Sequence, residues 1–114
     1  MLKIDLVHLG IVRSILAQHL PASEVWAFGS RVHGKNFKKF SDLDLVICSK
    51  TALSAKKLGA VKQAFSESNL PFKVDVSEWL DLPESLKKVI AGRHEVIQKK
   101  SAQMKAAKRK ARLV

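Results

Sequence analysis

Tyrosine is missing from this sequence of 114 residues, cysteine occurs once, and acidic residues number 10 against 21 lysines and arginines. Without tyrosine, the chain has no phenol of its own to modify. The lone Cys48 excludes an internal disulfide, and with four histidines, at 8, 19, 33 and 94, it shows none of the spacings of a zinc site. Cysteine used this sparingly fits a reducing compartment, so the expected location is cytoplasmic. No apolar run approaches the ~20 residues that cross a bilayer, and no membrane role is expected. Asp5, His8 and Arg13 interrupt the apolar N-terminal stretch, which reads as mature structure rather than a signal peptide.

What is present is an ordinary globular composition, 46% hydrophobic and 27% charged, on a chain of one-domain length. Roughly 60 to 70% of the unfolded surface can be buried at this size, enough for a core without staples. The net charge of +11 is unevenly spread. Seven of the basic residues follow Gln98, leaving fourteen bases against ten acids in residues 1–98. The expected organisation is a domain over 1–98 and a basic tail over 99–114. The tail reads as a solvated extension with weak attraction for nucleic acids and other polyanions.

Apolar residues Ile4, Val7, Ile11, Ile15, Leu16 and Leu20 recur at helical spacing, and Pro21 ends that helix. The run Val25-Trp26-Ala27-Phe28 predicts a buried strand that turns at Gly29, with Ser30 as the N-cap of a following helical turn. In Asp42-Leu43-Asp44-Leu45-Val46-Ile47-Cys48 the acids alternate with aliphatics, so a strand puts both carboxylates on one face and Leu43, Leu45 and Ile47 on the other. A helix is predicted over 54–68, a strand over Phe72–Val76 with Lys73 and Asp75 on its polar face, and a short helical turn at 78–80. A helix from Pro83 to Ala91 and a last strand over Glu95–Gln98 complete the chain. Trp26 and Trp79 read as core anchors, His8 and His19 as surface residues without a carboxylate partner, and Cys48 as a small buried hydrophobe.

Three features carry chemistry in combination. A Gly29-Ser30 turn between strand and helix suits a phosphate. Asp42 and Asp44, close together on one strand face, repel each other unless a cation lies between them, and oxygen-only donors suit Mg²⁺. If the strand of Asp75 pairs beside theirs, the three carboxylates converge on a two-metal site suited to nucleotidyl transfer.

Gly29-Ser30-Arg31-Val32-His33-Gly34, then Ser41-Asp42-Leu43-Asp44-Leu45, then Val74-Asp75-Val76, resembles the minimal nucleotidyltransferase (MNT) family of the DNA polymerase beta superfamily. The resemblance spans Val25 to Val76. It implies a small α/β nucleotidyltransferase fold, a twisted mixed sheet backed by helices. It also implies that Asp42, Asp44 and Asp75 hold two Mg²⁺ ions, that Asp75 serves as general base, and that Gly29, Ser30 and Arg31 hold the phosphates of ATP. His33 stands where a second arginine is common, and the loop from Arg31 to Ser41 is one residue longer than the usual spacing. The family further implies a HEPN-type all-helical partner encoded nearby, with AMP transferred to a tyrosine of that partner and the MNT protein acting as antitoxin. Two other readings stay open: a non-catalytic module that binds a partner or RNA, and nucleotidyl transfer to a small molecule. Exposed apolar surface on so small a domain is compatible with a homodimer.

Overall fold

A computed structural model describes residues 2–35, 37–38 and 40–100. Most of the basic tail, 101–114, lies outside the described residues, as do Asn36 and Lys39 in the loop after the glycine turn. Helix α1 spans Leu6–His19. It buries Val12 and Leu16, four residues apart, against the sheet side of the molecule. It starts two residues later than its periodicity predicts. The Lys3 N–H donates to the Arg31 carbonyl at 2.7 Å, which holds the preceding residues outside the helix. Leu6 and Val7 consequently face outward, 84% and 75% exposed.

Strand β1 covers Glu24–Phe28, the one-turn helix α2 covers Ser30–His33, and β2 covers Leu43–Cys48. Helix α3 runs over Ala55–Ser66 and is capped by the Ser54 hydroxyl, which accepts from the Lys57 N–H at 3.1 Å. Strand β3 is Val74–Glu78, helix α4 is Glu84–Gly92 and strand β4 is Glu95–Gln98. A 3₁₀ turn at Trp79–Asp81 lies between β3 and α4.

The four strands form one mixed sheet in the order β3-β2-β1-β4, with β2 and β3 parallel and the other pairs antiparallel. The parallel pair is joined through α3, as a crossover between parallel neighbours requires. Leu43, Leu45 and Ile47 of β2 and Val25 and Ala27 of β1 turn to the face covered by α1 and α3, where all five are fully buried. The alternation read from the sequence therefore holds through β2, with one addition: Val46, on the opposite face, is fully buried too.

On that opposite face Trp26 packs edge-on against Trp79, ring centroids 5.6 Å apart, and stacks on His94 at 3.8 Å and 12°. The Trp26 indole donates to a Glu24 carboxylate oxygen at 2.5 Å. The His94 Nδ1 lies 2.7 Å from the Ile90 carbonyl, so that nitrogen carries the proton. Ile90, at the end of α4, is buried outside the main core cluster. The aromatic stack thus fastens the segment from the 3₁₀ turn to the start of β4 to one half of this face. Among the described residues no helix is long and apolar enough to cross a membrane.

Several expectations are corrected. Gly29, not Ser30, occupies the cap position of α2, and Ser30 is its first helical residue, with no side-chain cap. Strand β3 begins at Val74 instead of Phe72 and continues through Glu78. Pro71 and the buried ring of Phe72 take the preceding residues out of the ladder. Glu78 ends up buried, its carboxylate accepting from the Leu53 N–H at 3.2 Å. Cys48 is only half-buried; burial first, and then the charge of Glu24, push its thiol up to about 12. His8 packs edge-on against Phe72 and has Asp5 within 3.7 Å, so it is not a plain surface residue.

Leu45 sits fully buried in an inner strand. Leu45→Ala is expected to cost about 2–5 kcal/mol, whereas Leu6→Ala, in the exposed first turn of α1, stays within about 0.5 kcal/mol. Urea denaturation of the two variants measures both.

Candidate active site

The face shared with the tryptophan stack is open at its other end. Register places Phe28 of β1 opposite Asp44 of β2, and Asp44 opposite Asp75 of β3. Residues paired across a ladder project to the same face. Asp44 and Asp75 are therefore direct neighbours on adjacent parallel strands. Asp42 lies two residues earlier, just outside β2 and exposed.

The electrostatics reflect this arrangement. Asp44 is partly buried and its carboxyl is raised from 3.8 to about 6, first by loss of solvent, then by the charge of Asp75, then by that of Asp42. The donor set is oxygen only, in kind what a hard divalent cation takes. Among the described residues, no three acidic, histidine or cysteine side chains are drawn into a closed cation site.

Gly29 completes the floor. It takes φ +81° and ψ −156°, a backbone region essentially reserved for glycine. A Cβ built there collides with the Asp44 carboxylate. The turn after β1 thus brings bare backbone against the acid, and Ser30 follows directly. Gly34 closes the one-turn helix in the left-handed conformation, its N–H bonded to the Ser30 carbonyl at 2.8 Å. His33 is exposed, its Nδ1 accepting from the Lys35 N–H at 2.9 Å.

Arg31 differs from the expectation of a phosphate-facing cation. It is 3% exposed, and its guanidinium donates to the Ser41 carbonyl at 2.8 Å and the Lys3 carbonyl at 2.7 Å. Burial lowers its pKa, opposed by the charges of Asp42 and Asp5. Nothing in the sequence separated this inward arginine from an outward one, because its partners are backbone carbonyls whose positions only the fold defines.

Two concavities flank the acids. One of about 390 Å³ runs along β3 and includes Lys62, Lys73 and Asp75 in its wall. A larger one, about 580 Å³, lies among Ile4, His8, Arg31, Phe37, Phe40 and Phe72 and contains none of the three acids. Asp42 and Asp75 are exposed, and Asp44 between them is partly buried.

Comparison with known proteins gives a consistent picture. Residues 11–103 match the family described as "Polymerase beta, Nucleotidyltransferase". The chain is 46% identical over 99 residues, 87% of its own length and 86% of the relative's, to a Haemophilus influenzae protein named probable protein adenylyltransferase MntA. It is similar in fold to a solved toxin-antitoxin with AMP-PNP, with TM-score 0.64 and 17% identity over 85% of this chain and 76% of the other. A Shewanella oneidensis assembly, a tri-AMPylated HEPN toxin in complex with an MNT antitoxin, gives TM-score 0.59 and 14% identity over 89% and 76%.

Raised in the folded chain, the Asp44 carboxyl contributes stability that is present below pH 3.8 and lost as pH rises through about 6. In chelator-treated protein, Asp44→Asn is expected to melt higher than wild type at pH 7, with the gap closing towards pH 4. Thermal melts across that range check the sign. Gly29→Ala is expected to lose roughly 1–3 kcal/mol in urea denaturation, from backbone strain and the collision with Asp44.

Proposed function

Because this chain belongs to the polymerase beta nucleotidyltransferase family, we propose that it is a protein adenylyltransferase that moves AMP from ATP to a tyrosine hydroxyl of a HEPN-type helical partner, and thereby acts as an antitoxin. The observation that carries the reading is the register of Asp44 against Asp75, with Asp42 two residues before. Asp44 and Asp75 lie side by side on one face, and the charges of Asp75 and Asp42 both bear on Asp44. Such carboxylates are what phosphoryl chemistry with a divalent cation needs. The name of the Haemophilus influenzae relative and the HEPN partner of the Shewanella oneidensis antitoxin support the choice of a protein acceptor.

Asp42, Asp44 and Asp75 would hold Mg²⁺, which when bound neutralises the carboxylates and the triphosphate and stabilises the departing pyrophosphate. Gly29 and Ser30, at the turn beside Asp44, receive the phosphates. The glycine is needed there because any side chain would collide with the Asp44 carboxylate. Asp75, exposed on β3, accepts the proton of the attacking hydroxyl. The tyrosine oxygen forms a bond to the α-phosphorus, the bond from that phosphorus to the bridging oxygen breaks, and pyrophosphate leaves with its electrons.

Exposed Leu6, Val7 and Phe40 support a docking surface for a second protein. The basic end of the chain supports only weak contact with nucleic acid. Its charge is not needed by the chemistry described.

Incubation of the chain with Mg²⁺, ATP labelled at the α-phosphate and the HEPN-type protein encoded beside it is expected to attach label covalently to that protein. Asp42→Ala and Asp44→Ala should reduce labelling by about a hundredfold or more with the fold intact. Replacing the acceptor tyrosine by phenylalanine should abolish it. A wild-type chain that binds its neighbour tightly but transfers nothing would establish a non-catalytic binding module instead. Removal of residues 101–114 is expected to leave the transfer rate within about twofold.

A further inference from the structure

The site is built on segments that meet at one buried cation. Arg31 follows Gly29 by two residues. Its Nε donates to the carbonyl of Ser41, the residue immediately before Asp42, and its Nη1 to the carbonyl of Lys3. The guanidinium carbon lies 4.1 Å from the centroid of the Phe72 ring, three residues before Asp75, and 5.2 Å from that of Phe37. The Leu43 N–H donates to the Lys73 carbonyl at 2.9 Å, joining the backbone beside Asp42 to the backbone leading into Asp75. Three stretches of chain, at Lys3, in the loop of Phe37 and Ser41, and at Phe72, therefore meet around a single planar fork.

Burying a charge is expensive unless it is paired and fully hydrogen-bonded. A merely structural filler here needs no charge at all. A guanidinium does what an apolar residue cannot: it bridges two carbonyls with fixed angles, stacks on an aromatic face, and sets a positive charge within the field of Asp42 and Asp5.

We propose that Arg31 is a positioning residue rather than a nucleotide ligand, setting the backbone that enters Asp42 and, through Phe72, the backbone that enters Asp75, so that the carboxylates are carried on a fixed frame from which they can close on a divalent cation. This rests on the reading of the site as a nucleotidyltransferase centre. It acts through the carboxylates and touches neither nucleotide nor acceptor. Lysine is a poor substitute in this role, because an ammonium is a point charge that cannot span both carbonyls and lie flat on Phe72 at once.

The test uses the full chain with Arg31→Lys and, as a second variant that keeps the arginine, Phe72→Leu. Circular dichroism checks folding, and Mn²⁺ affinity is measured by electron paramagnetic resonance without nucleotide. The transfer assay then separates kcat from the KM for ATP. Folded Arg31→Lys is expected to bind Mn²⁺ about tenfold more weakly and to lose kcat, with KM for ATP within twofold and partial recovery at high Mg²⁺. Phe72→Leu should shift the same quantities in the same direction by less, and it decides the matter if Arg31→Lys does not fold. A tenfold rise in KM with unchanged Mn²⁺ affinity would make Arg31 a nucleotide ligand and overturn the proposal. Wild-type Mn²⁺ affinity in a folded variant would reduce the arginine to a fold element and also overturn it. Weakened Mn²⁺ binding in a chain that labels no partner upholds Arg31 and removes the protein acceptor. A wild type that binds no Mn²⁺ removes both.

Discussion

Two carboxylates set side by side on neighbouring parallel strands repel, and the rest of the molecule exists to keep them there. The force that opposes the repulsion acts on the far face of the sheet. Leu43, Leu45 and Ile47 lock β2 into one register, because a slip of one residue would move all three into water and turn the acids into the core. Burial of aliphatic side chains, at about 1.5–3 kcal/mol each, is thereby coupled to an arrangement of charge that the protein would not adopt for its own stability. Sites that cost stability in this way are where function is concentrated.

The acidic face is shared between two tasks. Trp26, Trp79 and His94 take one half of it and secure the C-terminal helix and strand, while Phe28, Asp44 and Asp75 leave the other half open. The boundary between them is Val46, buried although it lies on the side of the sheet that carries the acids. This division lets one face of a four-stranded sheet carry both a second small core and the open end where Asp44 and Asp75 lie.

Much of this was legible in the residues themselves. The two-residue spacing of Asp42 and Asp44 amid aliphatics determines a shared face, since strand geometry has period two. The fold class and the family resemblance both agree with what the structure and the relatives show. What the sequence left open was relational: that β3 pairs parallel to β2, and that Asp75 falls opposite Asp44 rather than a residue to either side. Phe72 alternates with Val74 and Val76 like a strand residue, yet its ring lies against Arg31 and β3 begins only at Val74. Arg31 itself was legible as a cation near a phosphate turn, but the direction of its side chain was not. Local pattern reports which residue types occur; it does not report which carbonyls arrive beside them.

The sheet order leaves β3 with only one neighbour, so its outer hydrogen-bonding groups border solvent and α3 rather than another strand. An uncovered strand of alternating valines is a template on which a second chain can add. Lys73 and Asp75, flanking Val74, put opposite charges on that margin. The aspartate proposed for the chemistry thus also places a negative charge on the outermost strand, where charge disfavours the addition of a further chain.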